Sequence, residues 1–154
     1  MINPKQQLLI GQVDRKLQKL KEIEDLSIPS GGWIRNIRIA LKMSLRQLGK
    51  RLNISPQSAR EIEIREADGG ITLKTLRNVA EALDMKFVYG FIPKSENIET
   101  MIEKRAAEIA KTIVARTSAS MILEDQAIPY DRVENAVKLK SQEIKDKMPS
   151  YLWD

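Results

Sequence analysis

The 154-residue chain contains neither cysteine nor histidine. The first absence removes disulfides and thiolate nucleophiles, the second removes the usual imidazole general base, and the two together remove Cys/His zinc sites. Serines and carboxylates remain, but no Gly-rich phosphate loop, no G-x-S-x-G elbow and no pair of acids flanked by a glycine turn organises them. A small enzyme is therefore a poor reading, and no cofactor or metal is expected. No apolar run approaches the roughly 20 residues needed to cross a bilayer, and the opening MINPKQQLLI lacks the charged start and long apolar stretch of a signal peptide. The expectation is a cytoplasmic protein without membrane association.

What is present is charge, unevenly placed. The chain carries 26 Lys plus Arg against 21 Asp plus Glu, a formal +5. Residues 1–30 hold five basic and four acidic groups, residues 31–94 twelve and six, and residues 95–154 nine and eleven. The middle segment is the cationic one, and an excess of that sign favours polyanionic partners.

Apolar periodicity divides the chain in the same places. Leu9, Val13, Leu17 and Leu20 recur at helical spacing over residues 4–26, and SIPSGG (27–32) breaks the pattern. Four short helical patterns fill residues 33–83. In residues 84–94, DMKFVYGFIPK, Phe87, Tyr89 and Phe91 alternate with smaller residues, which predicts one short strand at 86–92. Met101, Ile102, Ala106, Ile109, Ala110 and Ile113 then form an amphipathic helix, and Val133, Ala136, Val137 and Ile144 a second one after Pro129. The predicted fold is all-α: an N-terminal helix (1–30), a central domain with one short strand (31–94), and a helical C-terminal extension (95–154).

The chemistry concentrates in residues 44–63, SLRQLGKRLNISPQSAREIE. Ser44 suits the N-cap of a helix whose Leu45, Leu48 and Leu52 point inward and whose Arg46, Lys50 and Arg51 stay outside. The helix stops at Asn53. Ser55 caps the next one, and Pro56 takes its first position, where a missing N–H costs nothing. Gly49 lies where the two helices must come close, so only a small residue suits. Ala59 and Ile62 face inward, leaving Gln57, Ser58, Arg60, Glu61 and Arg65 exposed. Gln and Arg can make bidentate hydrogen bonds to base edges in the major groove, and Glu can accept from cytosine N4. Ser44, Arg46 and Lys50 on the first helix, with Gln57, Ser58, Arg60, Glu61 and Arg65 on the second, are the candidate contacts to double-stranded DNA. A solvated charged surface is the plainer alternative for Arg46 or Lys50 taken alone.

Residues 33–84 resemble the five-helix, repressor-like helix-turn-helix domain of the phage-repressor, or XRE, family: the small Gly49, the Asn53-Ile54-Ser55 turn, the Ser-Pro start, Ile62 and the Thr72-capped ITLKTLRNVAEAL follow its order and spacing. That resemblance implies a second helix set in the major groove and a first lying across the backbone. It also implies an internal ion pair between Arg38 and Glu63, so Arg38 is not counted as a DNA contact. Pro56 departs from repressors that place a base-reading glutamine there.

The run from SLRQLGKRL to FIPK, followed by a helical tail with MILEDQAI, resembles the mobile mystery protein A family, a resemblance that covers nearly the whole chain, and members of that family are usually encoded beside a Fic-domain protein. The resemblance implies an antitoxin-like regulator of its own operator with a Fic-domain toxin as partner. Ser120-Met-Ile-Leu-Glu124-Asp125 resembles the Ser/Thr-x-x-x-Glu of Fic-inhibitory helices, which implies that Glu124, with Ser120 one turn earlier, pairs with an arginine of the nucleotide site; Asp125 stands where those helices carry Gly or Asn, and an ordinary helix end is the other reading. A homodimer is expected because strand 86–92 has no obvious partner within the chain. The reading is thus a DNA-binding regulator without catalytic activity. The alternative is an interaction protein that silences a Fic-type nucleotidyltransferase, with DNA binding secondary.

Overall fold

The computed structural model describes residues 3–123 and 129–154. Among them are seven α-helices and a closing 3-10 turn: α1 (Pro4–Lys21), α2 (Trp33–Ala40), α3 (Leu45–Leu52), α4 (Pro56–Asp68), α5 (Leu73–Ala82), α6 (Ile98–Leu123), α7 (Tyr130–Lys147) and the turn Ser150–Trp153. The fold is all-α. None of these helices is long and apolar enough to cross a membrane. The chain divides into two compact units, one spanning residues 25–89 and the other joining residues 1–24 to 90–154.

Four short helices build the first unit, and each is started and stopped by its own residues. Ser44 Oγ accepts the Gln47 amide at 3.1 Å while Gln47 Oε1 accepts the Ser44 amide at 2.8 Å, a reciprocal box that satisfies two otherwise unpaired donors of α3. Thr72 caps α5 through the Thr75 amide at 3.1 Å. Gly69, with φ of 79°, ends α4 in the left-handed region, and the Gly70 amide turns back to the Arg65 carbonyl at 2.8 Å. The helices then bury Ile34, Leu48, Ala59, Val79 and Leu83 in one core, with Leu45, Leu52, Ile62 and Leu76 packed around it. Each fully buried Leu, Ile or Val stabilises by about 1.5–3 kcal/mol, so this core holds together helices too short to persist alone.

The second unit is organised by α6, along which Ile102, Ala106 and Ala110 recur at four-residue spacing and are buried against Ile144 of α7 and Leu152. The two alanines let α7 lie close. Helix α1 adds Ile10 to this core, while Leu9, expected to face inward, is exposed. The amide of Ile98 opens α6 by donating to Asp14 Oδ1 of α1 at 2.8 Å, and Thr100 donates to Asn97 Oδ1 at 2.8 Å. Lys145 of α7 reaches Glu99 at 3.3 Å and Glu103 at 2.5 Å on α6.

Two expectations are corrected. Helix α1 stops at Lys21 rather than near residue 26, because Ile23 and Glu24 donate to Leu20 and Lys21 carbonyls in tightened turns. The strand expected at 86–92 does not form, and no strand occurs among the described residues. A strand needs a ladder, and this segment has no second strand to pair with among the described residues. The alternation has a smaller local cause: the Phe87 and Tyr89 rings stack at 5.9 Å with 17° between their planes, and Arg77 of α5 lies 5.8 Å from the Tyr89 centroid.

Candidate nucleic-acid interface

Helices α3 and α4 are joined by a turn that leaves no freedom in their mutual placement. Asn53 adopts the left-handed conformation (φ 56°, ψ 41°), which a short polar side chain tolerates. The Ile54 amide then returns to the Gly49 carbonyl at 2.9 Å. A Cβ on Gly49 would stand 2.7 Å from the Ile54 carbonyl oxygen, so the glycine is what lets the turn fold back onto α3. Ser55 Oγ accepts the Ser58 amide at 3.0 Å, Pro56 occupies the first turn, and Ala59 is fully buried beneath α4.

A second lock joins α4 to α2. Arg38 and Glu63 meet in a two-bonded pair, Nε to Oε1 at 2.5 Å and Nη2 to Oε2 at 3.2 Å, and Arg38 Nη1 donates to the Met43 carbonyl at 2.9 Å. Their side chains are 14% and 7% exposed, so both are committed to the structure. The hydrogen bond to Glu63 holds the Arg38 proton more firmly than usual, with burial opposing it.

These constraints leave one side of α4 outward. Gln57, Glu61 and Arg65 follow at four-residue spacing and are exposed, and Glu61 lies 3.6 Å from Arg65 in a solvated pair worth little by itself. Arg46 and Lys50, also four apart, are exposed on α3. The hydroxyls of Ser44 and Ser58 are spent on helix starts: Ser44 takes the Gln47 amide, and Ser58 accepts from Ser55 Oγ at 2.9 Å. Arg60 is exposed too, beside that line. It lines a cavity of about 330 Å³ between α2 and α4, together with Gly31, Arg35, Arg38, Glu63 and Ile64.

The helix-turn-helix family model matches residues 34–89. The match spans α2 to α5 and the segment that follows them. No curated protein and no solved structure matches the chain. The family is one of DNA-binding regulatory domains rather than enzymes, and the match falls within the compact unit of residues 25–89.

Within the helix-turn-helix domain, the structure adds two residues to the picture that the sequence left unnoticed. Glu66 Oε1 accepts the Ile34 amide at 3.0 Å and so caps α2 from the far end of α4. Arg35 stands one turn before Arg38 on α2, and that spacing was the available signal for a shared face. Arg51 is exposed, as expected, and donates to the Ala82 carbonyl at 3.0 Å at the end of α5. Outside the domain, Ser120 is exposed near the end of α6, whereas Glu124 and Asp125 lie outside the described residues.

Proposed function

We propose that the chain is a sequence-specific transcriptional regulator that sets α4 in the major groove of its operator, with Gln57 and Glu61 reading base edges and Arg46 and Lys50 positioning α3 on the backbone. The observation that carries this reading is the outward stripe Gln57–Glu61–Arg65 on a helix fixed at its start by the Gly49 turn and past its middle by the Arg38–Glu63 pair. A reading helix must be rigid, because each base-edge bond is lost if the side chains drift by an ångström.

Homodimerisation fits a regulator of this kind, since two copies would double the groove contacts on a palindromic site. The finer identity rests on the resemblance of the whole chain to the mobile mystery protein A family. On that basis the regulator is cytoplasmic and antitoxin-like, represses its own operon, and pairs with a Fic-domain protein through the C-terminal helices. Their acidic balance suits a different partner from that of the cationic domain.

The deciding experiment is retardation of the duplex upstream of the coding region, at rising salt. Each neutralised phosphate releases counterions, so the complex should dissolve steeply as salt rises. In the same titration, Gln57→Ala should cost roughly 1–3 kcal/mol on the preferred site and spare random duplex, while Lys50→Ala weakens both alike. Equal losses on both duplexes for Gln57→Ala would refute the reading face. Co-expression of Glu124→Gln with the neighbouring Fic-type protein tests the antitoxin role, and restored nucleotide transfer with operator binding intact is the expected result.

A further inference from the structure

The cavity between α2 and α4 carries more positive charge than its own acid can answer. Its walls present Arg35 and Arg38 from α2 and Arg60 from α4, against the single carboxylate of Glu63. Both oxygens of Glu63 are taken by Arg38, at 2.5 and 3.2 Å. Arg35 and Arg60 therefore face one cavity with no hydrogen bond or ion pair to any described residue. Arg35 is folded back over the turn before α2, where a Cβ on Gly31 would lie 3.5 Å from its Cδ and Nη1.

Arg35 and Arg60 are both exposed, so water screens their repulsion, and an anion between them would turn it into attraction. A guanidinium offers a planar fork of donors that matches a phosphate's oxygens. The rest of the wall is apolar: Ile64 is 49% exposed there, beside Leu45. An anion carrying an apolar flank fits that combination, and a nucleic-acid sugar-phosphate unit has both parts.

We infer that Arg35 and Arg60 form a clamp for one phosphodiester of the DNA backbone, with the deoxyribose against Ile64. The inference rests on the DNA-binding reading and deepens it. It assigns Arg60 to the backbone rather than to a base edge. The location favours DNA over a free phosphate compound. Arg60 directly precedes Glu61 and stands one turn after Gln57, so a duplex whose bases meet Gln57 and Glu61 brings its backbone past the cavity mouth.

The test uses the full chain, with Arg35→Gln, Arg60→Gln and the charge-keeping Arg35→Lys and Arg60→Lys. Affinity is measured against salt on the preferred duplex and on a scrambled one. Each Gln variant should lower the slope of log affinity against log salt by about one and weaken both duplexes by the same factor, with unchanged thermal unfolding. The Lys variants should restore the slope. An unchanged slope in the Gln variants overturns the clamp while leaving DNA binding in place. A loss confined to the preferred duplex in Arg60→Gln returns that residue to base reading and overturns the clamp as well. A wild-type chain that retards no duplex at low salt overturns the DNA reading itself, and the clamp with it. Calorimetry with inorganic tripolyphosphate separates the sources: tight binding lost in Arg35→Gln, with duplex slopes unaffected, would make the cavity a site for a free polyphosphate.

Discussion

The carboxylate of Glu66, near the end of α4, accepts the backbone amide of Ile34 in the first turn of α2 at 3.0 Å. Helix α2 begins at Gly32, which has no side chain to cap it, and Glu66 takes that role from 32 residues away. The same contact explains the glycine, because a Cβ on Gly32 would overlap the Glu66 carboxylate, and the φ of 89° disfavours any other residue. A negative charge near a helix N-terminus adds to the effect. Glu66→Ala should therefore destabilise the domain by about 1 kcal/mol, read as a lower urea midpoint at an unchanged slope. Stability equal to wild type would mean that water satisfies the Ile34 amide equally well.

Gly49→Ala sets two effects of opposite sign against each other. Alanine in place of glycine favours a helix by about 1 kcal/mol. The new methyl would sit 2.7 Å from the Ile54 carbonyl and 3.2 Å from the Ser55 carbonyl carbon, and both are backbone atoms that cannot swing aside. Overpacking of this kind costs about 1–3 kcal/mol, so the net change should be destabilising, with the α3–α4 angle opened. A loss of duplex retardation larger than the loss of stability is the expected companion result. A more stable Gly49→Ala would show that the turn yields.

How much of this was legible beforehand follows the distance over which each contact acts. Ser44, Ser55 and Thr72 bond to amides three residues on, and Asn53 and Pro56 act through their own backbone, so the helix starts and the turn could be read from neighbours in sequence. Glu66 and Ile34 are 32 residues apart, and nothing in the local pattern distinguishes Glu66 from a solvated acid. Phe87 and Tyr89 misled for a related reason: a two-residue period places rings on one side whether or not a ladder exists, and here they meet each other. At the candidate interface, spacing identified the outward stripe of α4, but that Arg60 shares a cavity with Arg35 and Arg38 required knowing where α2 lies.

Lys145 offers a pH test of the α1, α6 and α7 unit. Its hydrogen bond to Glu103 raises its pKa; burial opposes this, and the bond to Glu99 adds to the rise. A cation whose folded pKa is raised contributes fully below the unfolded lysine value, about 10.4, and the contribution fades as pH climbs through the higher folded value. Both glutamates are half exposed, so screening holds the effect to about 1 kcal/mol or less. Urea midpoints from pH 9 to pH 11.5 should fall further in wild type than in Lys145→Met. Parallel curves would leave the pair with no share in stability.

The Arg38–Glu63 pair ties the domain's stability to its function. Glu63 is the only described acid on the α2–α4 cavity, so removing Arg38 strands a carboxylate whose side chain is 7% exposed, and removing Glu63 leaves three guanidiniums around one space. Breaking one partner of a buried pair costs about 3–5 kcal/mol, and the open cavity, by admitting water, should keep Arg38→Met near the lower figure. The double variant Arg38→Met, Glu63→Leu leaves no stranded charge and should recover most of that loss, since apolar replacement of a buried pair is often neutral. Denaturant unfolding of the two single variants and the double measures the coupling. Retardation of duplex DNA then separates packing from charge: the double variant, refolded and still carrying Arg35 and Arg60, should bind random duplex about as well as wild type. A double variant no more stable than Arg38→Met would mean that the Arg38 bond to the Met43 carbonyl, rather than the ion pair, holds α2 in place.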